Sequence, residues 1–170
     1  MWKVNTSNPG KILEFKKFLG PDIELIEKDL AEPKADALTI LRFKASQFLD
    51  TIVDDTSLEV EGAKIGAEVR WKLNDLKDWV GHEAVFVCLL GIHRENWIYV
   101  FEGRVDGQIV TARGEGFGFN PVFQPKTSKF TLAEKQLPEH NARYLAVESL
   151  KLNQFKWKLE PLKNWSGEFQ

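Results

Sequence analysis

Asp54 and Asp55 end the apolar run "TIVDD" and lead straight into "TSLEV". On an extended chain neighbouring side chains point to opposite faces, so the pair predicts two separate jobs. One carboxylate faces a cleft, where it holds a divalent cation or takes a proton from water. The other fixes the adjoining loop by accepting hydrogen bonds from backbone N–H groups. Acids that merely terminate a strand and cap a turn are the plainer alternative. Apolar residues ending in acids also place the pair at the carboxyl edge of a sheet, where open α/β folds bind ligands.

A second candidate is "TSNPGK", Thr6 to Lys11. A strand that delivers its last residues into a helix N-terminus offers backbone N–H groups and the positive end of the helix dipole, and Thr6, Ser7, Asn8 and Lys11 add donors of their own. That is a phosphate-binding composition, although a capped helix with one surface lysine would read the same way. A third is "GEGFGFNPVF", Gly114 to Phe123. Its glycines let the backbone turn tightly, and Phe117 and Phe119 offer flat apolar faces for a planar ring. Phe117 and Phe123 are expected to fill the core, leaving Phe119 as the stacking candidate.

The elements that must position these residues follow from periodicity. "WKVN" reads as a first strand, followed by a helix over about Pro9 to Leu19 with Asn8 as N-cap and Gly20-Pro21 as its stop. "DIELIE" is a second strand, and Leu38, Leu41, Ala45, Phe48 and Leu49 predict a helix from about Ala37 to Leu49. After the strands "TIVDD" and "SLEVEG", the segment "EVRWKLNDLKDWVG" aligns Val69, Leu73, Leu76 and Val80 as one helical face. Ala84 to Ile92 is a buried strand. "NWIYVFEGRV" and "QIVTA" flank Asp106-Gly107, a hairpin signal, and a last long helix begins near Pro138 and carries Leu145, Leu150 and Phe155. This order predicts one α/β domain over residues 1–170, with a mixed twisted sheet flanked by helices and a cleft between two lobes.

Composition narrows the function classes. With 43% hydrophobic and 28% charged residues the chain is globular rather than disordered. Its net charge of −2, with basic residues scattered, argues against a broad nucleic-acid-binding face. No apolar stretch reaches the roughly 20 residues of a membrane span, and the N-terminus lacks a basic-then-apolar leader. The single cysteine, Cys88, sits in an apolar run and reads as a small buried hydrophobe in a reducing compartment. A cytoplasmic location is therefore expected. His82, His93 and His140 read as surface or loop residues, and Trp2, Trp71 and Trp97 as core. Trp157 and Trp165 are placed at a possible subunit interface.

Taken together, "TSNPGKILEF", "VDDTSLEV" and "GFGFNPVFQP", with a late helix after "TLAEK", resemble the inosine triphosphate pyrophosphatase family of hydrolases for non-canonical purine nucleoside triphosphates. "KIGAEVRWKL" is similar to the family's segment after the acid pair, while the middle of the chain is shorter than the family's. The resemblance implies hydrolysis between the α and β phosphates, giving a nucleoside monophosphate and pyrophosphate with Mg²⁺, in a homodimer. Carried over by motif, Thr6, Asn8 and Lys11 bind the triphosphate. Glu32, in "KDLAEP", and Asp55 hold Mg²⁺ or activate the attacking water, with Asp54 in support. Either Arg42 or Lys44 matches the family's lysine in the second helix.

The chain departs from the family where the base is read. The family's aspartate before proline is Asn120, and its S-H-R triplet is "NAR", Asn141 to Arg143, with no clear match for the lysine that precedes it. An amide both donates and accepts, so Asn120 suits a different set of base edges, while Arg143 keeps a donor for a purine carbonyl at position 6. The departures leave two other readings open: a nucleotide-binding or sensing protein with weak or no turnover, and a pyrophosphatase with another base preference.

Overall fold

In the computed structural model, which describes residues 1–170, the chain forms a seven-stranded sheet with helices on both faces. The strands are β1 (Trp2–Asn5), β2 (Ile23–Ile26), β3 (Thr51–Val60), β4 (Glu83–Arg94), β5 (Trp97–Ile109), β6 (Phe123–Pro125) and β7 (Trp157–Leu159). Their order is β2-β1-β3-β4-β5-β6, with β7 also paired to β5. β1 runs parallel to β2 and β3, and every other pairing is antiparallel, so the expected mixed sheet is present.

The helices are α1 (Pro9–Leu19), α2 (Ala37–Ala45) and α3 (Ala142–Lys151). Each starts on a side-chain cap: Asn8 accepts from Gly10 and Lys11, Asp36 from Thr39, and Asn141 from Arg143 and Tyr144. Along β3 the side chains alternate. Ile52 and Leu58 join a large core cluster with Phe15 of α1 and Ala142, Ala146, Val147 and Leu150 of α3. Val53 joins a smaller cluster with Leu41 and Ala45 of α2. Asp54 therefore faces α1 and α3, and Asp55 faces α2, as the two-fold strand period requires.

The acids do not end a strand, as expected from sequence, but lie in the middle of β3. "TIVDD" and "SLEVEG" are one strand through Val60, because β4 pairs with it continuously from Ile52 to Val60. They still reach a sheet edge because β1 stops early. Its pairing with β3 covers only Lys3–Thr51 and Val4–Ile52, so the edge of β3 beyond Ile52 opens at the carboxyl end of β1.

Other expectations are corrected. Asp106-Gly107 makes no hairpin; β5 runs through it, and the glycine is there because a Cβ would lie 2.4 Å from the Gln124 carbonyl oxygen of β6. The turn instead falls at Glu95-Asn96, where Glu95 takes a φ of 55° between β4 and β5. Residues 68–81 form two 3₁₀ segments, Val69–Trp71 and Leu73–Trp79, rather than one helix. Only Val69 and Leu76 of the proposed face are buried, too few anchors to hold a continuous amphipathic helix on the sheet. α2 stops at Ala45, with Leu49 exposed, and α3 starts at Ala142 after a 3₁₀ turn at Pro138–His140.

His93 and His140 are buried, not surface residues, because His93 lies within β4 and His140 is packed in the turn before α3, its Nε2 2.8 Å from Thr127 Oγ1. Trp71 and Trp97 are exposed rather than core, whereas Trp2 packs on the main cluster. Cys88 is buried, and burial pushes its thiol up to about 12. No helix is long and apolar enough to cross a membrane.

α3 can approach β5 closely because of Gly103. A Cβ there would sit 1.9 Å from the Ala142 carbonyl oxygen and 2.8 Å from the Ala146 nitrogen, both backbone atoms that cannot move aside cheaply. Gly103→Ala is expected to destabilise the fold by about 3 kcal/mol, measured as a lowered urea midpoint. A neutral result would mean that α3 shifts freely on the sheet.

Candidate active site

The turn "NTSNPGK" leaves β1 and enters α1 at the point where β3 loses its neighbour. Asn5 fixes the exit: its side-chain amide donates to the carbonyls of Ile26 (2.8 Å) and Lys28 (2.9 Å). Around this point lies a cavity of about 330 Å³ that brings together Thr6, Ser7, Asn8, Lys11, Glu32, Lys44, Asp54, Asp55, Phe119, Asn120 and Arg143. Of the residues singled out from sequence, Arg42 alone lies elsewhere. Its Nε donates to the Glu160 carbonyl, whereas Lys44 Nζ reaches the Asp54 carbonyl, so of the two only Lys44 lines the cavity.

Asp54 is the floor of the cleft. Its Oδ2 accepts from Lys11 Nζ and from Arg143 Nη2, each at 2.9 Å, and its carbonyl accepts from Lys44 Nζ at 2.7 Å. It fixes side chains from three helices, where the sequence suggested backbone N–H groups of a loop. The sequence places it at a strand end beside a loop; in mid-strand the ladder already takes the backbone donors. Burial works against its charge, but Lys11, then Arg143 and Lys44, outweigh burial and hold its carboxyl well below the usual carboxylate range. Lys44 is raised despite its burial because Asp54, Asp55 and Glu32 surround it.

Asp55 is the opposite case. It is buried, forms no ion pair within 4 Å, and has one long hydrogen bond, from Ser57 Oγ at 3.4 Å. Burial first, and the neighbouring Glu32 and Asp54 charges next, push it up to about 7, with Lys44 and Lys11 only partly offsetting them. Glu32 stands beside it, 3.3 Å from Lys44 Nζ. Glu32 and Asp55 line one cavity and offer hard oxygen donors that suit a small divalent cation completed by phosphate and water.

The phosphate end is more internally satisfied than the sequence suggests. The N–H groups of Gly10 and Lys11 both donate to Asn8 Oδ1, that of Asn8 donates to Thr6 Oγ1, and Ser7 Oγ donates to Asp29. The available donor is Lys11, which is 22% exposed and the most accessible cation on Asp54.

At the other end, the roles of the aromatics are reversed. Phe119 is core, edge-on to Phe86 at 5.1 Å between centroids, and Phe117 is exposed and lies over Gly10 of α1. Gly118, at a φ of 61°, turns the chain between them; both residues line the cavity, and Phe117 is the more exposed ring. Asn120 lines the cavity with no protein partner for its side chain. Arg143 is fully buried and committed to Glu14 (2.8 Å), Asp54 and Thr56 (2.7 Å), with only Nε left over. Two residues not singled out from sequence complete the site. Glu14 lies one turn after Lys11 on α1 and receives Arg143 and Asn141; Gln136 accepts from Asn141 at 2.8 Å. The i, i+3 spacing of Lys11 and Glu14 was the available signal.

An open mixed sheet with a lysine from the first strand–helix turn facing buried acids of the next strand defines a phosphate-handling α/β protein. The chain belongs to the Ham1 family, whose model matches residues 3–152. It is 32% identical to the inosine triphosphate pyrophosphatase of Yarrowia lipolytica, over 86% of this chain and 92% of that one. It is also 32% identical to the dITP/XTP pyrophosphatase of Thermococcus kodakarensis, over 80% and 85%. The fold is similar to that of the Staphylococcus aureus Ham1 protein, with a TM-score of 0.68 at 24% identity over 90% of this chain and 97% of that one. The resemblance drawn from the motifs is thus borne out.

Burial of Asp55 has a measurable sign. A carboxyl raised on folding stabilises the fold fully below its ordinary value of 3.8, and that contribution is lost as pH rises through about 7. In cation-free buffer Asp55→Asn is therefore expected to be more stable than the native chain at pH 8, by on the order of a few kcal/mol, with the gap closing toward pH 4. Denaturant midpoints across that range would show it. A gap independent of pH would mean that Lys44 already balances an ionised Asp55.

Proposed function

We propose that this chain hydrolyses non-canonical purine nucleoside triphosphates, of the ITP, dITP and XTP kind, to the monophosphate and pyrophosphate. The observation that carries this reading is the cleft shared by Lys11, Glu32 and Asp55, with Lys11 partly open to solvent above buried carboxylates. Glu32 and Asp55 would hold Mg²⁺, which when bound supplies charge neutralisation on the phosphate oxygens. Thr6, Ser7, Asn8 and Lys11 would bind the triphosphate, and Lys44 would keep Glu32 and the Asp54 carbonyl in place.

Lys11 can turn to a phosphate without stranding Asp54, because Arg143 stays paired with that carboxylate. Phe117 would stack on the purine, and Asn120 would meet its edge together with Gln136. With Arg143 drawn into the Asp54–Glu14 network, base discrimination falls to amides, which both donate and accept at a purine edge. A homodimer, a single domain over residues 1–170 and a cytoplasmic location belong to the same proposal. Trp157 and Trp165 both make contacts within the chain, so they do not by themselves support the dimer; sedimentation would test it.

Purified protein with Mg²⁺ and ITP, dITP, XTP, GTP, ATP or UTP is expected to release pyrophosphate fastest from ITP, dITP and XTP. Asp55→Ala should lower turnover by about a thousandfold while leaving the fold intact. Tight nucleotide binding without pyrophosphate release would replace the enzyme reading with a binding one. Asn120→Asp is expected to change the ranking of bases more than the maximal rate; equal loss on every nucleotide would remove it from base selection.

A further inference from the structure

We propose that residues 160–170 form a positioning strap for Glu32, setting the cation site from outside the cleft; this rests on the reading of Glu32 given above. Glu32 lies in the irregular connection between β2 and α2, where no helix or strand ladder holds the chain. The backbone hydrogen bonds of residues 30–34 all run to the strap. Lys34 N–H donates to the Glu168 carbonyl at 2.8 Å, Gln170 N–H donates to the Glu32 carbonyl at 2.9 Å, and Gln170 Nε2 donates to the Pro33 carbonyl at 3.3 Å. Together they form a short antiparallel bridge between Pro33 and Phe169.

The strap is itself anchored to the other two walls of the cleft. At the C-terminal end of α2 and just past it, Leu162 N–H donates to Ser46 Oγ (2.7 Å), Gln47 Nε2 donates to the Lys163 carbonyl (3.1 Å), and Phe169 sits edge-on to Phe43. On the 3₁₀ segment beside Val69 and Arg70, which line the cavity, Trp71 Nε1 donates to Gln170 Oε1 at 3.0 Å. α2 carries Lys44, the ion-pair partner of Glu32. One segment therefore ties together the carboxylate, its lysine and the facing wall. A ligand on an otherwise unsupported loop loses affinity to the entropy of ordering it, and outer contacts of this kind restore that affinity. The strap lies beyond residue 152, where the match to the family model stops.

Titration with Mn²⁺ alone, without nucleotide, tests the assignment directly. Phe169→Ala and Trp71→Phe are each expected to weaken Mn²⁺ binding by about tenfold and to speed amide exchange at Lys34, with turnover at saturating Mg²⁺ unchanged. Phe169→Tyr should keep the native affinity. Should Phe169→Ala loosen the whole sheet, Trp71→Phe carries the same test, since it removes the indole N–H donor and keeps an aromatic side chain at an exposed position. Faster exchange at Lys34 with native Mn²⁺ affinity would overturn the strap's role. Failure of the native chain to bind Mn²⁺ would instead remove the cation site, and the strap's role with it.

Discussion

Three cations, one from each helix, converge on Asp54. Lys11 of α1 and Arg143 of α3 take its carboxylate, and Lys44 of α2 takes its carbonyl. A carboxylate buried in mid-sheet is costly unless paired, and here the compensation comes from both faces of the sheet. The same contacts orient α1, α2 and α3 around the open edge of β3. Removing Arg143 would strip both Asp54 and Glu14 of their shared buried partner, so packing and site geometry are bound to one another.

That arrangement explains how adjacent residues of identical type come to differ so much. Asp54 uses up the available positive charge, leaving Asp55 with burial, like-charged neighbours and a single long hydrogen bond. A core optimised for stability would place no carboxylate at position 55. Keeping one there costs fold stability above neutral pH, and the rigid pairing of its neighbour holds the strand in place against that cost.

How far the site was legible follows from how local each signal is. The β1–α1 turn could be read because Asn8 and Pro9 act on their own backbone, and the opposed directions of Asp54 and Asp55 follow from the strand period alone. The swap of Phe117 and Phe119 could not be read, since both are plausible core residues until the left-handed Gly118 sets which ring turns inward. Asp106-Gly107 misled for the same reason: the glycine answers a close approach of β6, a contact in space rather than a turn in sequence. Arg143 reaches Asp54 across 89 residues of sequence, and no spacing rule anticipates that pairing. The strap is less legible still, because its contacts are mostly backbone carbonyls and amides that any sequence would supply.

The cleft thus has a floor and a rim held by different physics. The floor is a buried charge network, strong and intolerant of change, and it fixes Asp54 and the inner ends of three helices. The rim, carrying Phe117 and Asn120, is held by ring contacts and turn hydrogen bonds that open at lower cost. A site that must admit a charged ligand and release two charged products needs that division. Rigid acids keep the reacting end in register, while a rim built from weaker contacts yields without disturbing the network beneath it. Lys11 sits where the two meet, paired with the floor yet partly open to solvent, and so it is the residue placed to follow a phosphate in and out.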